Sequence, residues 1–234
     1  MSGTLFGLGL GPGDPELVTP KARLVLRRVT VVAYPAPETG PSFARSIVAS
    51  LLSPVLTEIA IRVPMVPERT PAQAIYDTGA AEIARHLDQG ADLAVLCQGD
   101  PFFYGSFIQI FERLAPRYRT MVVPGVSSLM ACAAAAHAPL AVRDEPLLVL
   151  PAPLDEAELE RRLAAAENVA IIKLGRHFAK VRRVLRRLHR AEQAMYVERA
   201  SLASERVLAL DEVDAASVPY FSLVLLRDGA DPRS

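Results

Sequence analysis

The chain has 234 residues, of which 51% are hydrophobic, 22% charged and 6% aromatic, a composition typical of folded globular proteins rather than disordered or fibrous ones. Basic and acidic residues are equal in number, 26 of each, so the formal net charge is zero. This balance argues against a protein that coats nucleic acid or an anionic membrane, because both functions rely on excess positive charge.

Short apolar runs alternate with amphipathic stretches along the whole chain, as in the strand–helix units of parallel sheets covered by helices. In the first half, Thr19 and Pro20 predict the start of a helix that runs to Arg28. Pro71 predicts the start of a longer helix, which Gly90 ends. The strands predicted in this half span residues 4–10, 30–34, 57–63, 92–97 and 119–123.

Pro124-Gly125 breaks the chain before an Ala-rich helix predicted over 126–137, and we place a domain boundary there, giving domains 1–123 and 124–234. The last three predicted strands follow one another without room for helices. They need hairpin or meander connections, so the second sheet should be mixed. We therefore predict two α/β domains, the first with a mostly parallel five-stranded sheet. The second half carries predicted strands at 147–150, 169–174, 194–198, 206–210 and 220–226, and helices at 155–166 and 177–189.

The first predicted strand runs into a glycine-rich turn, residues 7–14. The dinucleotide spacing G-x-G-x-x-G fails in each register, because the third glycine position falls on Pro12, Asp14 or Glu16. The acid expected at the end of the second strand is missing, and no Gly-Lys-Ser/Thr of a phosphate loop is present. Two interpretations stay open: a tight strand-to-helix turn, or a loop whose backbone approaches a ligand closely and carries Asp14 at its tip.

A second segment, residues 97–106, reads Cys-Gln-Gly-Asp-Pro-Phe-Phe-Tyr-Gly-Ser and follows another buried strand. Ligands of open α/β sheets bind at this edge. Asp100 can accept hydrogen bonds from an amine or a hydroxyl, and the aromatic residues offer apolar contact. The alternative is a turn whose aromatic residues fill the core.

Two further segments carry polar groups. Ser127 and Ser128 stand at the entry to the Ala-rich helix, where hydroxyls cap the helix or bind a polar ligand. Residues 171–177 end a strand with Lys173, Arg176 and His177. The arginines that follow indicate a solvated helix face. The four histidines and two cysteines show no metal-ligand spacing, so we expect no metal site and no disulfide.

Taken together, these segments resemble the tetrapyrrole methylase family, the class III S-adenosylmethionine-dependent methyltransferases. The resemblance covers nearly the whole chain, in order and with compatible spacing. It points to the branch that methylates meso carbon 20 of a cobalamin precursor. The matching segments are GLGPGDPELVTPKA (9–22), VVAYP (31–35), CQGDPFFYGS (97–106), PGVSS (124–128), IIKLGRH (171–177), YVERAS (196–201) and PYFSLVLL (219–226).

The resemblance implies a homodimer that binds S-adenosylmethionine in a cleft between the two domains and transfers its methyl group to a tetrapyrrole. Many of the implied cofactor contacts are backbone groups. By similarity, the cofactor-binding residues are Pro12, Gln98, Gly99, Asp100, Phe103, Ser127, Ser128, Leu174 and Ala200.

The chain departs from the family at two positions. Uroporphyrinogen methylases carry an acid after the tyrosine of the second strand, where this chain has Pro35, and related chains often carry an acid at the place of Gln98. No base is therefore transferred from the family. Our candidate for removing the proton from the methylated carbon is Asp14, with Tyr104 as an alternative hydrogen-bonding group. Lys173 and Arg176 are candidates for binding substrate carboxylates.

Alternatives remain at this stage. The tetrapyrrole is either metal-free or contains cobalt, and a nucleotide-binding oxidoreductase or a protein that only binds a tetrapyrrole are further possibilities. The N-terminal residues lack a signal peptide and no apolar run approaches the roughly 20 residues of a membrane span. We therefore expect a cytoplasmic protein that binds neither nucleic acid nor membrane.

Overall fold

The computed structural model describes residues 2–63 and 69–227, without the side chains of 69–72. The chain separates into two units, Met1–Ser127 and Ser128–Ser234. The sequence places a domain boundary between residues 123 and 124, and that boundary remains a prediction.

The first unit contains the predicted parallel sheet. All paired neighbours in it are parallel, in the order β3-β2-β4-β1-β5, which confirms the prediction. The strands are β1 (Leu5–Gly9), β2 (Val31–Pro37), β3 (Thr57–Val63), β4 (Leu93–Cys97) and β5 (Thr120–Val123). The helices are α1 (Pro20–Leu26), α2 (Phe43–Ile47), α3 (Arg69–Asp88) and α4 (Phe107–Leu114).

Every residue of β1 and β4 is buried, because an apolar cluster covers each face of the sheet. One cluster includes Ile83 of α3 and Ile110 of α4. The other includes Ala22 of α1 and Ile47 of α2. Thr19 begins α1 by accepting a hydrogen bond from the Ala22 backbone N–H, as the sequence predicts.

The second unit contains a mixed sheet in the order β6-β7-β10-β8-β9, as predicted. β6 and β7 are parallel, and β10 is antiparallel to both β7 and β8. The strands are β6 (Leu147–Pro151), β7 (Asn168–Ile172), β8 (Ala194–Glu198), β9 (Arg206–Ala209) and β10 (Ser222–Arg227). The helices are α5 (Ser128–Ala135), α6 (Glu156–Ala164) and α7 (Phe178–Arg187). The Ala-rich helix thus begins at Ser128, two residues later than predicted.

The last three strands are not a simple meander. β8 and β9 form the predicted hairpin, but β10 inserts between β7 and β8. The physical reason is burial: five of the six β10 residues are buried, whereas three of the four β9 residues are exposed. A strand apolar on both faces gains most free energy in the centre of a sheet.

Candidate functional site

The carboxyl ends of three adjacent strands bring the glycine-rich segments together in the first unit. β1 lies between β4 and β5. The loop after β1 pairs with the loop after β4, since the Gly99 N–H donates to the Gly11 carbonyl at 2.7 Å and the Leu10 N–H donates to the Cys97 carbonyl at 2.9 Å. Gly11 and Gly99 have φ of 78° and 67°, a left-handed conformation that favours glycine.

Gly9, Gly99 and Gly125 form what we call the glycine junction, where three backbones touch. A Cβ added to Gly9 would lie 2.3 Å from the Gly125 nitrogen, and a Cβ added to Gly125 would lie 2.2 Å from the Gly99 carbonyl oxygen. Sequence reasoning placed Gly9 in the glycine-rich turn and Gly125 at the chain break, but it named neither as a site residue. Their position at strand ends is a signal, but only the three-dimensional packing shows that no side chain fits.

The Asp100 side chain connects two of the loops at the glycine junction by hydrogen bonds. Its Oδ2 accepts a hydrogen bond from the Gly125 N–H at 3.1 Å, and its Oδ1 accepts one from the Phe102 N–H at 2.9 Å. The sequence predicted that this carboxylate accepts hydrogen bonds from a ligand. In the structure, each oxygen accepts a hydrogen bond from a backbone N–H, so Asp100 holds two loops together. Its binding of a ligand remains a prediction.

The aromatic residues of the loop after β4 and of the start of α4 divide between surface and core. Phe107 is buried against Gly7, where a Cβ would lie 2.5 Å from its ring. Phe102 contacts the rings of Phe107 and Phe111 but remains 49% exposed, and Tyr104 is 47% exposed. None of Phe102, Phe103 and Tyr104 is buried, so the aromatic residues of this segment do not fill the core, and their contact with a ligand remains a prediction.

The loop after β1 buries Pro12 and leaves Asp14 half-buried. The Asp14 Oδ1 accepts a hydrogen bond from the Glu16 N–H at 2.8 Å and caps a short 3-10 turn, Pro15–Leu17. This contact supports the structural interpretation of Asp14. Its role as a base remains a prediction.

In the second unit, Leu174 and Ala200 follow β7 and β8 at one edge of the sheet. Both strands are antiparallel to β10, so their carboxyl ends flank its start. The Leu174 side chain is fully buried in the core, which leaves only its backbone for a ligand, as the resemblance implies. Ser128 is the first residue of α5, and Ser127 is the last of the first unit.

Backbone strain concentrates at this edge. Lys173, Arg199 and Ser201 have φ of 59°, 51° and 71°, each costing about 1–3 kcal/mol in a residue other than glycine. Glu198, which comes directly before Arg199, is buried and accepts a hydrogen bond from the Tyr196 hydroxyl. Such strain is typical of ligand-binding loops.

Basic side chains follow β7 at this edge, at Lys173, Arg176 and His177. Burial lowers the pKa of Lys173. Burial, together with the charges of Lys180 and Arg176, lowers the pKa of His177. Three arginines of α7 differ, because each pairs with an acid: Arg183 with Glu156, Arg186 with Asp211, and Arg187 with Glu160 at 2.5 Å.

Both cysteines, Cys97 and Cys132, are buried and free. Burial raises the pKa of both thiols, that of Cys132 to about 12. Within residues 2–63 and 69–227, no group of three or more His, Cys, Asp or Glu side chains is placed to hold a metal ion. No helix in these ranges has the length and apolar character needed to cross a membrane.

The model of the Tetrapyrrole (Corrin/Porphyrin) Methylases matches residues 4–214. The chain therefore belongs to the tetrapyrrole methylase family, as the sequence motifs predicted. This membership does not favour a nucleotide-binding oxidoreductase.

Three curated relatives are similar over nearly all of this chain. The cobalamin biosynthesis protein CobIJ of Mycobacterium tuberculosis is 44% identical over 97% of the chain, which spans only 46% of that relative. The precorrin-2 C(20)-methyltransferase of Sinorhizobium is 41% identical, with 98% of this chain and 97% of the relative covered. The cobalt-precorrin-2 C(20)-methyltransferase of Salmonella typhimurium is 29% identical over 97% of both chains.

Solved structures share the fold. The uroporphyrin-III C-methyl transferase of Thermus thermophilus, complexed with S-adenyl homocysteine, matches with a TM-score of 0.68 and 26% identity, covering 96% of this chain and 92% of that one. The cobalt precorrin-4 methyltransferase CbiF matches with a TM-score of 0.75 at 21% identity, covering 96% and 94%.

Proposed function

We propose that this chain is a precorrin-2 C(20)-methyltransferase of cobalamin biosynthesis. It transfers a methyl group from S-adenosylmethionine to meso carbon 20 of precorrin-2, giving precorrin-3A and S-adenosylhomocysteine. The observation that carries the proposal is the end-to-end match to the Sinorhizobium relative at 41% identity. The lower identity to the Salmonella relative, 29%, favours the metal-free pigment over the cobalt-containing one.

The residues at the carboxyl edge fit S-adenosylmethionine, whose sulfonium supplies an electrophilic methyl group when it is bound. The glycine junction leaves no room for a Cβ because the three backbones pack directly on one another, which fixes the loops that carry the proposed cofactor contacts. Phe103 adds a half-buried aromatic ring. The proposed cofactor-binding residues are Pro12, Gln98, Gly99, Asp100, Phe103, Ser127, Ser128, Leu174 and Ala200.

Methyl transfer requires mainly that the protein position its two reactants. The tetrapyrrole carbon is itself the nucleophile, so the protein has to hold it in line with the methyl group and exclude water. Asp100 does part of this work by fixing the loop after β4 to Gly125. Asp14 is the proposed acceptor of the proton leaving carbon 20, and Lys173 and Arg176 are proposed to bind substrate carboxylates.

The proposal includes a homodimer and a cytoplasmic location. Membership of the family supports the first. Two buried cysteines without a disulfide support the second, since reducing compartments keep thiols free.

The decisive experiment is an anaerobic incubation with S-adenosylmethionine and either precorrin-2 or cobalt-factor II, followed by mass spectrometry and NMR of the pigment. We expect one added methyl group at position 20 of precorrin-2. Preference for cobalt-factor II would assign the anaerobic route instead. Binding of a pigment without any methyl transfer would indicate a binding protein and refute the enzymatic assignment.

A further inference from the structure

Two aromatic rings stand exposed on the loop that follows β4, beside the glycine junction. Phe102 is 49% and Tyr104 is 47% exposed. Single exposed apolar residues are common on protein surfaces, but neighbouring exposed rings next to a ligand-binding edge indicate a contact surface.

The loop holds these rings in place before any ligand arrives. Asp100 binds the Phe102 N–H, and the Phe103 N–H donates to the Asp100 carbonyl at 3.3 Å. A Cβ at Gly105 would lie 2.7 Å from the Pro101 carbonyl oxygen, so the turn is tightly closed. A preformed loop loses little conformational entropy on binding.

Tyr104 is the less easily explained of the two rings. Its φ of 56° is left-handed, a conformation that glycine or asparagine adopts at lower cost. The Phe102 ring packs on Phe107 and Phe111, whereas the Tyr104 ring meets the edge of Phe103, at 5.1 Å and 87°. The left-handed backbone conformation does not favour tyrosine, and nearly half of the Tyr104 side chain is exposed.

We propose that the face of Tyr104 stacks on the conjugated macrocycle of the tetrapyrrole substrate. The inference rests on the proposed function and adds a substrate-recognition residue to it. A tetrapyrrole offers a broad π face, which suits an exposed aromatic ring. The Tyr104 ring stands perpendicular to that of Phe103, the proposed cofactor contact, so the two rings do not present one common flat surface.

The test compares Tyr104→Phe, Tyr104→Ala and Tyr104→Gly. The dissociation constant of precorrin-2 is measured anaerobically, by absorbance titration in the presence of S-adenosylhomocysteine, and that of S-adenosylmethionine by calorimetry. We expect Ala and Gly to weaken precorrin-2 binding about 3- to 10-fold, as loss of an aromatic pair does, and Phe to bind like the wild type. Affinity for S-adenosylmethionine should stay unchanged in all three. Glycine adopts the left-handed conformation without strain, so the Tyr104→Gly variant should have a higher melting temperature than Tyr104→Ala. Both variants should bind precorrin-2 equally weakly.

Three results would overturn the inference: wild-type affinity for precorrin-2 in the Ala and Gly variants, a Phe variant as weak as Ala, or an equal loss of S-adenosylmethionine affinity. Leu24→Ala, which removes another exposed apolar side chain on α1, is the matched control and should change neither constant. Failure of the proposed function is separate, because it would show in the wild type as pigment binding without methyl transfer.

Discussion

Gly125→Ala is the sharpest perturbation of the glycine junction. The new Cβ would lie 2.2 Å from the Gly99 carbonyl oxygen, whereas Cβ contacts below 3.0 Å essentially do not occur, so one backbone has to shift by about 0.8 Å. Overpacking of this kind costs about 1–3 kcal/mol of unfolding free energy. A displacement of roughly this size at a reacting centre lowers turnover by up to about 100-fold.

The assay measures methyl transfer to precorrin-2, the calorimetric affinity for S-adenosylmethionine and the denaturant midpoint. Gly40→Ala is the control, because Gly40 has φ of 97° but nothing lies within 4 Å of its Cβ position. It should lose about 1–2 kcal/mol of stability and keep wild-type activity. A folded Gly125→Ala protein with wild-type turnover and cofactor affinity would refute the role of the junction.

Three further predictions concern the two edges. Asp100→Asn replaces one acceptor oxygen by an NH2 donor that faces a backbone N–H, so the free energy of unfolding should fall by about 1–2 kcal/mol. The affinity for S-adenosylmethionine should fall as well. Wild-type values in denaturant titration and calorimetry would contradict this prediction. The pKa of His177 is lowered in the folded state, so between that lowered pKa and the ordinary value of 6.5 the unfolded state binds more protons. The free energy of unfolding should therefore rise with pH across this window. His177→Gln should flatten the rise in denaturation curves measured at about pH 5 and 7. Lys173→Met removes a half-buried charge, so it should weaken precorrin-2 binding about tenfold without lowering the melting temperature; unchanged binding would remove Lys173 from the substrate site.

Much of the site was predictable because its signals are local. Glycines after buried strands, the acid of the loop after β4 and the serines at the helix entry all stand in short segments that the sequence displays. The structural role of each of these residues was less predictable. The Asp100 carboxylate turned out to bind the Gly125 N–H, 25 residues away, a contact that no local pattern indicates.

The sequence by itself determined the α/β class, the parallel first sheet, the mixed second sheet and the family. These follow from the alternation of apolar runs with amphipathic stretches and from motifs that keep their order, and both are properties of neighbouring residues. The tertiary structure alone decided that β10 lies between β7 and β8 and that three backbones touch at Gly9, Gly99 and Gly125. The reason is that burial and steric fit depend on distant segments meeting, and local patterns do not specify which segments meet.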